Sequence, residues 1–256
     1  MKGVFIKDLT YPQCCELINE NSVIVLPIGG GSKEHGSHLP MGTDWYVTEY
    51  FAQELTKECE VITLPTLPYA YFPAFVEWKG SVSIEANHFE DYVQDILMSF
   101  VRFGVRKFLI IDGGISTHIP LSILAQTMHN HHHVTVAVTD LNGLASDIES
   151  KVCQQKKGGH ADESETSTML YLHKDLVKME HTTEEYRKPP FKNIFQDGKA
   201  VAYVSGGMNS PQGSNGNSTL ATEEKGKMIL EDMKRKMVLF TEEFVRWNPD
   251  EQKDKE

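Results

Sequence analysis

The chain has 256 residues, 40% of them hydrophobic, enough to bury a large core in one α/β domain or two small ones. A formal net charge of -11, with scattered carboxylates and no basic stripe, excludes nucleic acid as a natural partner. The longest apolar runs, such as "FLII", fall far short of the roughly 20 residues a membrane span requires. The start "MKGVFIKDLTYPQ" lacks a charged segment followed by a long apolar core, so a cytoplasmic protein without a signal peptide is expected.

Strand and helix signals alternate through the first 140 residues. "YPQCCELINEN" reads as a helix, and "SVIVLPI" at Ser22 to Ile28 as a strand buried on both faces. "GTDWYVTEYFAQELTKE" has helical spacing, with Thr43 or Asp44 as N-cap, and "VITLP" is the next strand. "TLPYAYFPAFVEWKG" mixes prolines with aromatics and no period, so a loop across the strand ends is expected, followed by a short strand at "SVSI". An amphipathic helix runs from Phe89 to Phe103 and stops at Gly104. "KFLIIDGG" gives a strand, "HIPLSILAQTMHN" a helix and "VTVAVTD" another strand.

The second half is less regular. "SETSTMLYLHKDLV" reads as a helix, "AVAYVSGG" as a strand and "MNSPQGSNGNSTL" as a loop. "ATEEKGKMILEDMKRKMVLFTEEFVRW" is a long helix with Met228, Ile229, Met233, Met237, Val238 and Phe240 on its apolar stripe, before a frayed tail. The alternation implies a single α/β domain over residues 1–256: three layers, with a mainly parallel central sheet flanked by helices. Ligands of such sheets collect beyond the carboxyl ends of the strands, where three polar segments converge. The four cysteines show no C-x-x-C spacing and read as reduced, structural thiols.

The first polar segment is "GGGSKEHGSHLPMGTD", Gly29 to Asp44. It does not satisfy the phosphate-loop pattern, because Glu34 follows Lys33 where a serine or threonine is needed. His35, His38 and Asp44 are ligand types for first-row metals, and the alternative is a solvated loop whose Asp44 caps a helix. "GGHADESETS" brings His160, Asp162, Glu163 and Glu165 together before a helix, where carboxylates also complement the N-terminus. "HNHHH" at His129 to His133 falls at the opposite edge of the sheet and reads as surface.

Three segments carry a resemblance to a known family. "LPIGGGSKEHGSHLPMGTD", "GGHADESETSTML" and "NSTLATEEKG" resemble, in order and spacing, the signatures of the creatininase (creatinine amidohydrolase) family. The resemblance spans about Ser22 to Gly226. It implies an α/β amidohydrolase, a homo-oligomer and often a hexamer, that opens amides of small-molecule substrates with metal-activated water. It carries His35 to a metal-binding histidine, Asp44 to a bridging aspartate, and His160 and Glu165 to the catalytic histidine and glutamate. Two positions depart from the family: Lys33 stands where the first ligand is a glutamate, leaving Glu34 displaced, and Gly114 stands where a second-metal ligand is a histidine. The expectation is therefore one divalent metal per subunit, zinc before manganese or iron, on His35 and Asp44 with Glu34 or Glu165. The substrate is expected to be a C–N amide, a cyclic amide or a lactone held by Trp78, Asp112 and His118, with the aromatic loop from Tyr69 to Trp78 as its wall. The rival expectation is a non-catalytic ligand-binding or assembly protein that keeps the fold.

Overall fold

The computed structural model describes residues 2–248 apart from 189–190, 192–194, 197–198, 201, 203 and 208–209. Five strands form one parallel sheet: β1 (Val4–Phe5), β2 (Val23–Ile28), β3 (Ile62–Thr63), β4 (Lys107–Asp112) and β5 (Thr135–Val138), in the spatial order β1-β3-β2-β4-β5. The centre of the sheet is β2 beside β4, and their residues are the most continuously apolar in the chain. Ile24, Leu26, Ile28, Phe108 and Ile110 face one core, while Val23, Val25, Leu109 and Ile111 face the other, as period-2 alternation requires.

Each core is closed by helices. α3 (Ala86–Val101) and α4 (His118–His132) cover the first face with Phe89, Val93, Leu97, Leu121, Leu124 and Met128. α2 (Thr43–Glu58), α5 (Leu141–Val152) and α7 (Glu223–Arg246) cover the second, through residues such as Phe51, Leu55, Ala145, Ile229 and Met233. α1 (Tyr11–Leu17) and α6 (Glu163–His173) complete the helices of the α/β architecture. Phe51, Phe89 and Phe108 are fully buried, each worth about 1.5–3 kcal/mol over exposure. Among the described residues, no helix is long and apolar enough to cross a membrane.

Several expectations shift for local reasons. α1 ends at Leu17, four residues early, because the Asn19 and Ser22 side chains donate to the Leu17 carbonyl at 3.2 and 2.9 Å. "SVSI" is not a strand: Val82 and Ile84 donate to the carbonyls of Ser32 and Ala70, both in loops. α3 begins at Ala86 rather than Phe89 and ends at Val101, and Gly104 at φ +92° turns the chain behind it. α5 was not expected, although Leu141, Leu144, Ala145, Ile148 and Val152 keep helical spacing. On α7, Met228 and Phe240 are exposed while Leu230 and Phe244 are buried, so the apolar stripe is rotated from the expected one. Among the described residues of the strand expected in "AVAYVSGG", only Ala200 is in a strand, and 204–207 have no regular structure. Residues 201 and 203, and the tail beyond 248, lie outside the described residues. The "HNHHH" run forms the last turn of α4, ending at His133 with φ 54°. All four cysteines are free.

The α6–α7 junction fixes the segment that carries His160 and Glu165. Glu163 is fully buried, accepts from the backbone N–H groups of Gln154 and Gln155, and pairs with Lys225 Nζ at 2.5 Å. Thr222 caps α7 by accepting from the Lys225 N–H at 3.2 Å. Thr222→Ala is expected to cost about 1 kcal/mol. Thermal unfolding should register that as a Tm lower by about 2–4 °C.

Candidate metal centre

The ends of β2 and β4 are level, Ile28 pairing with Asp112, so the loops that leave them start side by side. The first loop doubles back before α2. Its His35 is fully buried, with Nδ1 against the Lys33 carbonyl at 3.3 Å. In the neutral ring, the form that can bind a metal, that contact assigns the proton to Nδ1 and leaves a lone pair on Nε2. Nε2 lies 2.8 Å from Asp44 Oδ1 but without hydrogen-bond geometry, a buried nitrogen with no hydrogen-bond partner. Asp44 does not cap α2 and neither does Thr43; Gly42 occupies the N-cap, and the Asp44 carboxylate turns toward His35 and Lys33. Gly36, at φ +70°, allows the close crossing under the second segment, since a Cβ there would lie 2.9 Å from that of Ala161.

The second segment is held by Asp162, the α6 N-cap. Its carboxylate accepts from Ser164 N–H, Glu165 N–H, Gly159 N–H and the Gln155 amide. Ala161 sits at φ 46°, strained for a non-glycine residue, and its N–H donates to Glu165 Oε2 at 2.5 Å. The strain buys orientation: the Glu165 carboxylate is fixed beside His160. His160 Nε2 meets Glu34 Oε2 at 3.1 Å, which leaves Nδ1 facing Glu165 Oε2 at 4.0 Å.

His35, His160 and Glu165 thus present ligand atoms that all lie within 4.8 Å of one another. Two imidazole nitrogens and a carboxylate form a donor set suited to zinc and other first-row ions, and the unpartnered His35 Nε2 fits such an occupant. Glu34 is not in this cluster; its Oε2 meets His160 Nε2, on the far side of that ring from the nitrogen that faces Glu165. His38 is outside it too, its Nε2 2.8 Å from Thr166 Oγ1.

Burial dominates the electrostatics. It pushes the Glu165 carboxyl up to about 7, even though a third of that side chain opens to solvent. It also raises Glu34, and lowers His38 to about 4 and His160 well below the usual imidazole value, with His35 adding to both histidine shifts. Asp44 goes the other way. Burial opposes its charge, but His35 and Lys33 together hold it well below the usual carboxylate range.

A cavity of about 550 Å³ opens onto Asp44, His160 and Glu165. Asp112 and His118 line it. Asp112 accepts from Thr117 Oγ1 and the Gly114 N–H, and its Oδ2 lies 3.3 Å from His118 Nδ1. Burial nevertheless lifts the Asp112 carboxyl to about 6. Trp78 is not among the lining residues; Phe72 and Phe75, from the same aromatic loop, are. Lys33, Asp140, Asn142 and Arg187 also line the cavity and were not singled out from the sequence as site residues. Lys33 could have been, because it shares the short loop with His35.

The chain is similar to several known proteins. A 3-dehydro-scyllo-inosose hydrolase of Thermotoga maritima is 26% identical over 247 residues, covering 88% of this chain and 78% of that protein. A creatinine amidohydrolase of Pseudomonas putida is 24% identical over 252 residues, covering 90% of this chain and 93% of its own. The crystal structure of a creatinine amidohydrolase (creatininase) superposes with a TM-score of 0.79 at 22% identity, covering 97% of this chain and all of that one, which shows the shared fold. Solved creatininases of this fold include one described by manganese and a mutant of Zn-Zn type. A sequence model of the creatininase family, described as creatinine amidohydrolase, matches residues 7–241, and this chain belongs to that family.

Proposed function

We propose that the chain, as one domain, is a metal-dependent hydrolase that opens a cyclic amide or lactone of a small-molecule substrate. One observation carries the reading: the lone pairs of His35 Nε2 and His160 Nδ1, each set by an acceptor behind the ring, converge on the Glu165 carboxylate beside the cavity. His35, His160 and Glu165 are the residues to hold a divalent ion, zinc by donor type, with Asp44 next to His35. Such an ion supplies a Lewis acid and brings a water toward a pKa near 7. Phe72 and Phe75 give the substrate an apolar wall. His118, oriented through Nδ1 by Asp112, keeps the lone pair of its other nitrogen to take a proton from the attacking water and then hand it to the leaving group. The family resemblance further supports self-association into a homo-oligomer, checked by light scattering.

Metal analysis of the purified chain tests the reading, alongside ring-opening assays on creatinine, other cyclic amides, lactones and 3-dehydro-scyllo-inosose. The expected result is a stoichiometric transition metal and hydrolysis of at least one ring, lost on chelation and restored by the ion. No metal after reconstitution would instead support a non-catalytic ligand-binding protein, a reading favoured by the cation that Lys33 already places against Asp44.

Glu34 offers a sharper probe. Its two oxygens accept from Gly36 N–H and His160 Nε2. Glutamine has one acceptor oxygen, so once Gly36 takes it the amide NH₂ faces His160 Nε2 and reverses the ring's tautomer. Glu34→Gln is expected to weaken metal affinity about 10- to 100-fold, as loss of such an orienting carboxylate does. Competition with a fluorescent chelator measures this; unchanged affinity would remove Glu34 from the centre.

A further inference from the structure

Lys33 is an unusual neighbour for a cation site. Its side chain is only 7% exposed, and its Nζ lies 2.6 Å from Asp44 Oδ2. The ammonium also stands over the rings of Phe75 and Phe72, at 4.9 and 5.3 Å from their centroids. A desolvated ion pair capped by aromatic faces is hard to exchange for anything that leaves either charge unpaired. The backbone of the same residue is also committed. Its N–H donates to the Met41 carbonyl at 2.9 Å, and its own carbonyl holds His35 Nδ1.

Close neighbours also keep a ligating side chain out of position 114. A Cβ on Gly114 would sit 2.9 Å from Phe72 Cε1 and 2.8 Å from Thr117 Oγ1. Phe72 therefore fills the space next to the ammonium that a side chain at Gly114 would need. Asp44 is left with two unlike oxygens: Oδ1 faces His35 Nε2, and Oδ2 faces Lys33.

We propose that Lys33 is a resident cation that takes one side of Asp44 and limits the site to a single divalent ion. Lys33 is thus a positioning residue: its carbonyl aims His35 at the ion, and its ammonium keeps Asp44 from bridging to a second. This rests on the metal-centre reading above and adds the stoichiometry and its cause.

Manganese titration of the full chain, read by elemental analysis and by electron paramagnetic resonance, tests it in three proteins. The wild type is expected to saturate at one ion per chain, with the spectrum of isolated Mn²⁺. Lys33→Glu should bind a second ion and show the spin coupling of a close pair. Lys33→Met, which keeps the volume and removes the charge, should take a second ion more weakly. A wild type with two coupled ions overturns the role of Lys33 while leaving the metal centre standing. So does a folded Lys33→Glu protein that still saturates at one. No ion in any of the three proteins overturns the metal centre and this inference together.

Discussion

His35→Ala is expected to leave a folded chain that retains no divalent ion and hydrolyses its substrate at least about 10³-fold more slowly, the scale of losing a Lewis acid worth several kcal/mol. The ring is fully buried, and its Nε2 is the one atom of the cluster that faces Glu165 Oε2 and Asp44 Oδ1 together. Removing it leaves one imidazole, His160, to act with the Glu165 and Asp44 carboxylates, and it strips the nitrogen donor that lies between those two carboxylates. Elemental analysis after dialysis reads the occupancy, and circular dichroism confirms that the fold survives. Full occupancy in this variant would show that the ion, if present, sits elsewhere.

The second large effect is on stability. A Cβ added at Gly226 would lie 1.9 Å from the Ser167 carbonyl oxygen, 2.4 Å from its carbon and 2.9 Å from the Thr168 nitrogen. All three are backbone atoms, so no side chain can rotate away; α7 has to move off α6. Gly226→Ala is expected to cost at least about 3 kcal/mol, the upper range of overpacking. In a chain of this length the Tm should fall by about 6–12 °C. Because α6 carries Glu165, metal affinity should weaken as well. Calorimetry decides the matter: an unchanged Tm would mean that the two helices are not in contact as described.

Much of this architecture was legible before the structure. The run "SVIVLPI" reads as a strand covered on both faces and "KFLII" as a strand, and they form the paired centre of the sheet. α5 escaped notice because Asn142, Ser146, Asp147 and Ser150 dilute an apolar spacing that is plain only once its partner α7 is known. For the site, the motifs placed His35, Asp44, His160 and Glu165 in one neighbourhood. They did not reveal which way Glu34 turns, because that depends on Gly36 and on Gly213, whose backbone passes so close that a Cβ there would overlap the carboxylate. Nor could they choose Phe72 and Phe75 over Trp78, since the aromatic loop has no period from which to read a face. Lys33 looked like a missing ligand, and only its distance to Asp44 shows it as a charge with a partner.

The contact between Glu34 and His160 joins positions 126 residues apart. Ion binding would therefore act as a clasp between the early and late parts of the chain. The donors can assemble only after the sheet and α6 have docked, so metal uptake during refolding should follow tertiary assembly rather than nucleate it. By the same logic an ion at 100 times its Kd adds about 2.7 kcal/mol to stability, all of it through a link that local unfolding near either end would release.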